Sequence, residues 1–550
     1  MAIVDDACHR ESPRTLRPAP RYGAALGALF ATVVLTVVHP SPGVTADWPM
    51  FGRDASNTAN QSSETAITTS NVGSLSTKWI FPTQGDVSAR AAVVNGVVYF
   101  PDWGGYLHAL KASTGAAVWS KPLSAFGLPS PTHARATPAV VNGTLYIGTQ
   151  EGAWLLAINA ATGNLIWKTQ LESPANDPFA VITTSPVVFG GTVFTGVASA
   201  EEAVAANPFY PCCKARGSVV AVNANTGLIK WKTYTVPPGY SGGGVWGSNP
   251  VVDGGTVFIG TGNNYSHPKA DAASSIPGTS YGACIAAGGT AASCNAAENY
   301  VDTILALDVG NGKIRWARRL VTWNQGPFVT DGSDDWNVAC FVPPFTNCPS
   351  NAGPDYDFAS APNLITYQTN EGHHETILGA GQKSGIYYAL DPKTGATLWQ
   401  TQVGPGSALG GMEWGSASDG KRIYVSIANF YGIPWGGGSA GFWAALDPAT
   451  GAILWTTADP NGAVDIGPMT VANGVVYASS MAGLATADTM LAMNAATGAI
   501  LWSFPAGASV NAGATVVDGA VYWGSGYDHL GIPGYTGGNK QFYAFGPAAN

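Results

Sequence analysis

Apolar and polar side chains alternate with a period of two along most of this chain, in short runs ended by Asn, Asp, Thr and Gly. Seven related segments stand out: LHALKASTGAAVW, LLAINAATGNLIW, VVAVNANTGLIKW, ILALDVGNGKIRW, YYALDPKTGATLW, WAALDPATGAILW and LAMNAATGAILW, ending at Trp119, Trp167, Trp231, Trp316, Trp399, Trp455 and Trp502. Each predicts a strand, a tight turn and a second strand. The alternation half-buries a strand, Asn or Asp with Thr-Gly supplies positive-φ turn conformations, and the tryptophan packs on a neighbouring unit. A second hairpin signal precedes most copies, as in VVNGVVYF, VVNGTLYIG, VVDGGTVFIG and VANGVVYAS. Two hairpins make a four-stranded antiparallel blade. A 3.6-residue apolar period is missing, which argues against a helical solenoid and a doubly wound α/β fold.

The last copy, QFYAFG at 541–546, lacks the TGxxxW continuation, whereas STKWIFP near the other end of the chain carries an orphan Trp79. The prediction is all-β: an eight-bladed propeller whose last blade is completed by this N-terminal strand, so that the ring hides its edges. The tryptophan spacing widens from 40 residues between Trp79 and Trp119 to 85 between Trp231 and Trp316, which places long insertions mid-chain. The rest of the chain, 47–550, reads as one domain.

Composition agrees with a turn-rich, aromatic-rich β protein: charged residues are only 11% of 550, with 70 glycines and 18 tryptophans. Arg10, Arg14, Arg17 and Arg21 precede an uncharged run, Tyr22 to Val38, and the small residues ending at Ala46. That order predicts a secretory signal over 1–46, cleaved after Ala46, and a secreted or periplasmic protein without stable membrane insertion. Of 25 basic and 34 acidic residues, four arginines and three acids fall in that segment, so the remainder stays acidic and nucleic acid is disfavoured. Cys212, Cys213, Cys284, Cys294, Cys340 and Cys348 remain, an even set that in an exported protein implies disulfides. Sequence proximity suggests three local pairs in that order, although neighbouring cysteines make an unusual bridge. Neither GxGxxG between a strand and a helix nor a P-loop occurs, which disfavours nicotinamide and nucleotide cofactors.

The repeats, with their ALDxxTGxxxW form, resemble those of the pyrroloquinoline-quinone (PQQ)-dependent alcohol dehydrogenases. Within that family PCCKARGSVVAVNANTG, DDWNVACF, GPDYDFASAPNLI, GQKSGIYYALDPKTGATLW and GGMEWGSASDGKRIYV are most similar to the polyvinyl-alcohol dehydrogenases. The resemblance implies an enzyme that oxidises secondary alcohol groups, in polyvinyl alcohol or a similar polyol, to ketones. It implies PQQ and Ca2+ on the propeller axis. With no CxxCH for a covalent haem, electrons would pass to an external acceptor such as cytochrome c or a membrane quinone. A propeller that serves as a non-catalytic binding or assembly scaffold is the alternative.

Carried over residue by residue, the resemblance makes Trp246 of GGGVWGSNP the aromatic floor under the quinone. It pairs Cys212 with Cys213 above the ring, although here the pair lies just before the third repeat rather than in an earlier blade. A strained structural or redox-labile pair, or separate bridges to distant cysteines, are the other readings of CC. Glu201 of TGVASAEEA and Asn263 of FIGTGNNYSHP become metal ligands, and carboxylate and amide oxygens suit calcium. Ala339, where lanthanide-dependent relatives carry a further aspartate, also favours calcium. Arg135 and Lys383 become cations facing the cofactor, Asn429 a further cofactor contact, and Ser88 replaces a family glutamate. For the catalytic base the family places an aspartate directly after a tryptophan, where this chain has Asn337. An amide cannot take a proton as a carboxylate does, so the expectation moves to Asp335, then Asp334.

Overall fold

The computed structural model describes residues 46–247, 249–320, 333–436, 438–529 and 535–548. The expected signal lies outside them apart from Ala46. Among the described residues no helix is long and apolar enough to cross a membrane.

Eight four-stranded antiparallel blades form the ring. The first blade consists of Ala92–Val94, Val97–Pro101, Tyr106–Lys111 and Ala117–Pro122, in that order outward from the axis. The eighth contains Thr515–Val517, Ala520–Gly524 and Gln541–Pro547, and its outer strand is Leu75–Pro82. Pairing of Leu75 with Pro547 and Pro82 with Gln541 confirms that the two ends of the domain share one blade. Buried faces of the strands pack blade against blade, and every hydrophobic cluster of the ring draws on adjacent blades.

The repeated tryptophans act as the predicted fasteners. Each indole Nε1 donates to a backbone carbonyl of the following blade: Trp79 to Ala112, Trp119 to Ala160, Trp167 to Ala224 and Trp231 to Val309. Trp316, Trp399 and Trp455 reach Pro392, Pro448 and Ala495, and Trp502 reaches Leu75, which closes the circuit. The Thr-Gly turn of the receiving blade lies against the ring. At Gly451, φ is +73° and a Cβ would come within 2.4 Å of Trp399 Cε3, so this turn needs glycine twice over. Gly451→Ala is expected to cost more than about 1 kcal/mol in urea unfolding; an unchanged midpoint would refute this account of the turn.

One feature had no periodic signature. The segment 46–61 runs beneath the axis as a plug. Its backbone bonds to innermost strands of six blades, through Trp48–Val93, Pro49–Val140, Ala55–Val252, Ser56–Leu364, Thr58–Ser418 and Ala59–Val471. Gln61 adds the eighth blade by donating from Nε2 to the Val516 carbonyl. Above the plug, Arg90 is buried without a carboxylate partner. Its guanidinium donates to the carbonyls of Phe51 and Met469 and lies over the Phe51 and Trp48 rings, while burial lowers its pKa to about 9.

The mid-chain insertions hold the short helices Tyr281–Ala286 and Ala291–Cys294 and the loop around Val338–Cys340. The Cys284–Cys294 and Cys340–Cys348 bridges staple them, and Cys212 is joined to Cys213.

Candidate active site on the propeller axis

Segments that lead into and out of the strands of blades three to six converge at one polar centre. The centre of the convergence is Lys383, in the turn after His374–Gly381. Its Nζ lies 3.0 Å from Asp355 Oδ2 and 2.9 Å from Asp357 Oδ2, and 5.2 Å from the centre of the Trp246 ring. Burial pulls the ammonium pKa down, but Asp355, Asp357, Glu202 and Glu413 overcome that and hold it well above its ordinary value.

The two aspartates differ in what they have left to offer. Asp357 is fully engaged: Oδ2 also accepts from Trp246 Nε1 at 2.8 Å, and Oδ1 accepts the backbone N–H of Asn263 at 2.7 Å. Gly262 leaves room for that contact, since a Cβ there would sit 2.8 Å from Asp357 Oδ1. Asp355 has Lys383 on Oδ2 and, among the described residues, no partner on its buried Oδ1. Burial pushes its pKa well up, and Asp357, Glu202 and Asp334 add to the rise against the opposing pull of Lys383. An unpaired buried carboxylate oxygen beside a cation is unusual in a core and common where chemistry is done.

The structure sorts the expected residues into those at this centre and those behind it. Trp246 and Lys383 are at it, and so is Asn263, whose Nδ2 donates to the carbonyls of Asn264 and Trp336 and leaves its amide oxygen as the remaining acceptor. Asp334 stands one layer back. Its oxygens accept the N–H groups of Asp355 and Tyr356 at 2.8 and 2.7 Å, and burial raises its pKa to about 7. Asp335 holds Oδ2 on His267 Nδ1 at 2.6 Å and on Ser333 Oγ at 2.8 Å; its Oδ1 is also buried without a partner among the described residues, but it has no contact with Lys383 or Trp246 there. Asn337 is a structural tie, its Nδ2 on the Tyr265 and Asn347 carbonyls and its Oδ1 on the Ala339 N–H.

Glu201 is likewise consumed by the fold. Its carboxylate accepts the N–H groups of Lys214 and Ala215 and the Tyr210 hydroxyl, which pins the cysteine-bearing loop. Glu202 is the glutamate that feels Asp357, Lys383 and Asp334. It is half-buried, and burial raises its pKa, with Asp357 and Asp334 adding to the rise against Lys383. Asn429 sits at φ +45° and spends its amide on its own loop, donating to Ile433 and Ala440 carbonyls and accepting from the Ile433 N–H.

Arg135 lies 4.1 Å from the centre of the Trp414 ring, which meets Trp246 edge to face at 5.3 Å, so two indoles link the arginine to Lys383. Arg135, Ser88 and Trp414 line the axial cavity, with Arg90 and Phe51 of the plug end. Glu413, adjoining Trp414, has its pKa raised to about 6 by burial. The Cys212–Cys213 bridge packs on Tyr265, Ala205 and Ala215, and Tyr265 in turn lies within the field of Glu202 and Asp357. The bridge thus borders the region of the acids.

Glu202, Asp334, Asp355 and Asp357 crowd around one lysine, and their mutual repulsion is the kind a divalent cation relieves. The groups that these bonds leave over are oxygen donors, the Asn263 amide oxygen and the Glu202 carboxylate. That donor chemistry fits a hard cation such as calcium. The flat indole of Trp246 with Lys383 and Arg135 nearby fits a planar, anionic quinone.

The family model PQQ_2, described as outer membrane protein assembly factor BamB, matches residues 62–318 and 382–537. The chain belongs to this family. A curated relative of this PQQ_2 chain, a polyvinylalcohol dehydrogenase from a Pseudomonas species, is 29% identical over 524 residues, 87% of this chain and 73% of the relative. A second polyvinylalcohol dehydrogenase, from a Sphingopyxis species, is 29% identical over 378 residues, 60% of this chain and 50% of the relative's length. The quinohemoprotein alcohol dehydrogenase structure from Pseudomonas putida superposes with a TM-score of 0.66 at 18% identity, over 92% of this chain and 81% of that one. At that identity the likeness concerns the fold.

Asp355, Asp357 and Glu202 are the site residues that sequence reasoning did not single out. The first two lie in GPDYDFASAPNLI, two acids spaced by two just before an inner strand, but the backbone there is not extended, with Asp355 at φ +60°, so no strand period foretells that both carboxylates meet Lys383.

Proposed function

We propose that the chain is a PQQ-dependent alcohol dehydrogenase that oxidises secondary alcohol groups, in polyvinyl alcohol or a similar polyol, to ketones. The observation that carries this reading is the Lys383 bridge between Asp355 and Asp357 over Trp246, with Asp355 Oδ1 left unpaired. When bound, the quinone supplies a hydride acceptor and calcium a Lewis acid, and the electrons leave to an external acceptor such as cytochrome c.

The chain's own residues do the rest. Trp246 is the floor on which the cofactor lies, and its orientation is fixed by its bond to Asp357. Glu202 and Asn263 are the metal ligands, with Glu202 in the place first expected for Glu201. Arg135 and Lys383 balance the cofactor's negative charge, and the Cys212–Cys213 bridge covers the opposite face. Asp355 Oδ1 takes the hydroxyl proton of the alcohol while Lys383 holds Oδ2 in place. Asp334 is a positioning residue that clamps the backbone of Asp355 and Tyr356. The three disulfides support an oxidising compartment, reached through the signal read in 1–46.

The test is dye-linked oxidation by purified protein with PQQ and Ca2+ added singly and together, on polyvinyl alcohol and small secondary alcohols. Activity that requires both additions is expected. Failure to bind PQQ in the presence of Ca2+ would sink the reading and leave a propeller scaffold.

A further inference from the structure

Beside the axial centre, loops of the sixth, seventh and eighth blades form an open groove of about 650 Å3, between walls that include Phe430, Val464, Met481, Leu484 and Tyr535. That volume is ordinary for a ligand site. Among the described residues every one that lines the groove is uncharged. The groove is also built rather than incidental. Met481 N–H donates to the Val464 carbonyl, Ser509 Oγ to the Met481 carbonyl, and Thr536 Oγ1 to the Gly483 carbonyl, so the loop backbone is fixed from three sides. Yet that fixed loop presents Leu484 to water with 73% of its surface exposed, and Tyr431 stands nearby at 46%. Apolar side chains held open beside a cleft mark a surface that something covers.

The groove adjoins the reacting centre: its Val464, Met481 and Tyr535 share one hydrophobic cluster with Trp414, whose ring meets Trp246 edge to face at 5.3 Å. The Phe430 ring packs edge-on against Tyr431 with centres 5.5 Å apart, and the Tyr431 hydroxyl lies within the field of Asp355. Tyr535 lies within the field of Glu413, which itself feels Lys383. A chain whose carbinol sits at Asp355 has in this neighbouring groove an uncharged surface to lie on.

We propose that this groove is a subsite for the substrate's own chain: a neutral, polyhydroxylated hydrocarbon polymer lies in it on one side of the carbinol being oxidised. The inference rests on the alcohol-oxidation reading above and adds the residues that select a polymer over a small alcohol. Methylene stems match Phe430, Val464, Met481 and Leu484, while the Tyr535 hydroxyl and Thr486 hydroxyl answer the repeated OH groups. The absence of charge from the lining suits this occupant and suits neither a sugar acid nor a charged protein surface.

The test uses Leu484→Asp and Thr486→Arg, both on exposed positions of the loop, with Leu228→Asp as a control, since Leu228 is 70% exposed on a turn of the third blade. Two readouts separate this proposal from the one it rests on. In the first, kcat/KM is measured with a dye acceptor for polyvinyl alcohol and for propan-2-ol, which does not reach the groove. The groove variants are expected to lose about tenfold on the polymer, mainly through KM, with propan-2-ol and the control unaffected. In the second, cofactor-free protein is passed over polyvinyl-alcohol-coated beads; wild type and Leu228→Asp are retained, and the groove variants are released early. Equal losses on both alcohols, no loss on the polymer, or no retention of the wild type would each overturn the proposal. If loaded wild type oxidises neither alcohol, the catalytic reading fails, and bead retention alone still decides whether the groove binds the polymer.

Discussion

Asp355→Asn is expected to lower kcat by about 10²- to 10⁴-fold, the usual worth of a positioned base, while PQQ still binds and the protein still folds. The asparagine keeps the shape of the side chain and can still accept from Lys383, so what it loses is the capacity to take a proton at the unpaired oxygen. Asp335→Asn provides the contrast. Its carboxylate is occupied on one side by His267 and Ser333, and its replacement is expected to leave kcat within a few-fold of wild type. Stopped-flow measurement of the reductive half-reaction with loaded enzyme distinguishes the two; a large loss at Asp335 with little at Asp355 would return the base to the position first read from the sequence.

Lys383→Met carries the second large effect, on stability as well as on turnover. Removing the ammonium leaves Asp355 and Asp357 buried without their counter-charge, a change that typically costs about 3–5 kcal/mol. Urea unfolding should show that loss in metal-free buffer. The loss should shrink when Ca2+ is added, because a cation bound only by the folded state stabilises it by mass action and supplies part of the missing charge. A variant as stable as wild type in metal-free buffer would mean that the acids do not depend on Lys383, and the account of the site would fall with it.

The ring was legible because each blade repeats one physical solution. Period-two alternation, a Thr-Gly turn and a terminal tryptophan are all local, and the indole-to-next-blade bond makes the local motif report a tertiary contact. Even the closure by Leu75–Pro82 followed from counting one motif short at 541–546 and one spare at Trp79. The site was less legible, for reasons that differ by residue. Glu201 and Glu202 are neighbours on one helical turn, and which of them faces the axis depends on how Tyr210, Lys214 and Ala215 claim the other. Asp334 and Asp335 drew attention because they sit beside Trp336, whereas the acids that meet Lys383 follow a long insertion that displaces them in sequence. Asn429 has the right residue type, but its loop uses every polar atom it has. The plug could not be read at all, since its partners lie in seven different blades and it has no period of its own.

That plug has a consequence for how the protein is made. The stretch 46–61 is translated before every blade it touches, and its partners then emerge in succession from Val93 to Val516. Each new inner strand meets a waiting peptide edge, which shortens the search that long-range strand pairing otherwise imposes. The blades are in effect wound onto a spindle that is already in place, and a permuted gene that delivered residues 46–61 last would have to thread the spindle through a finished wheel.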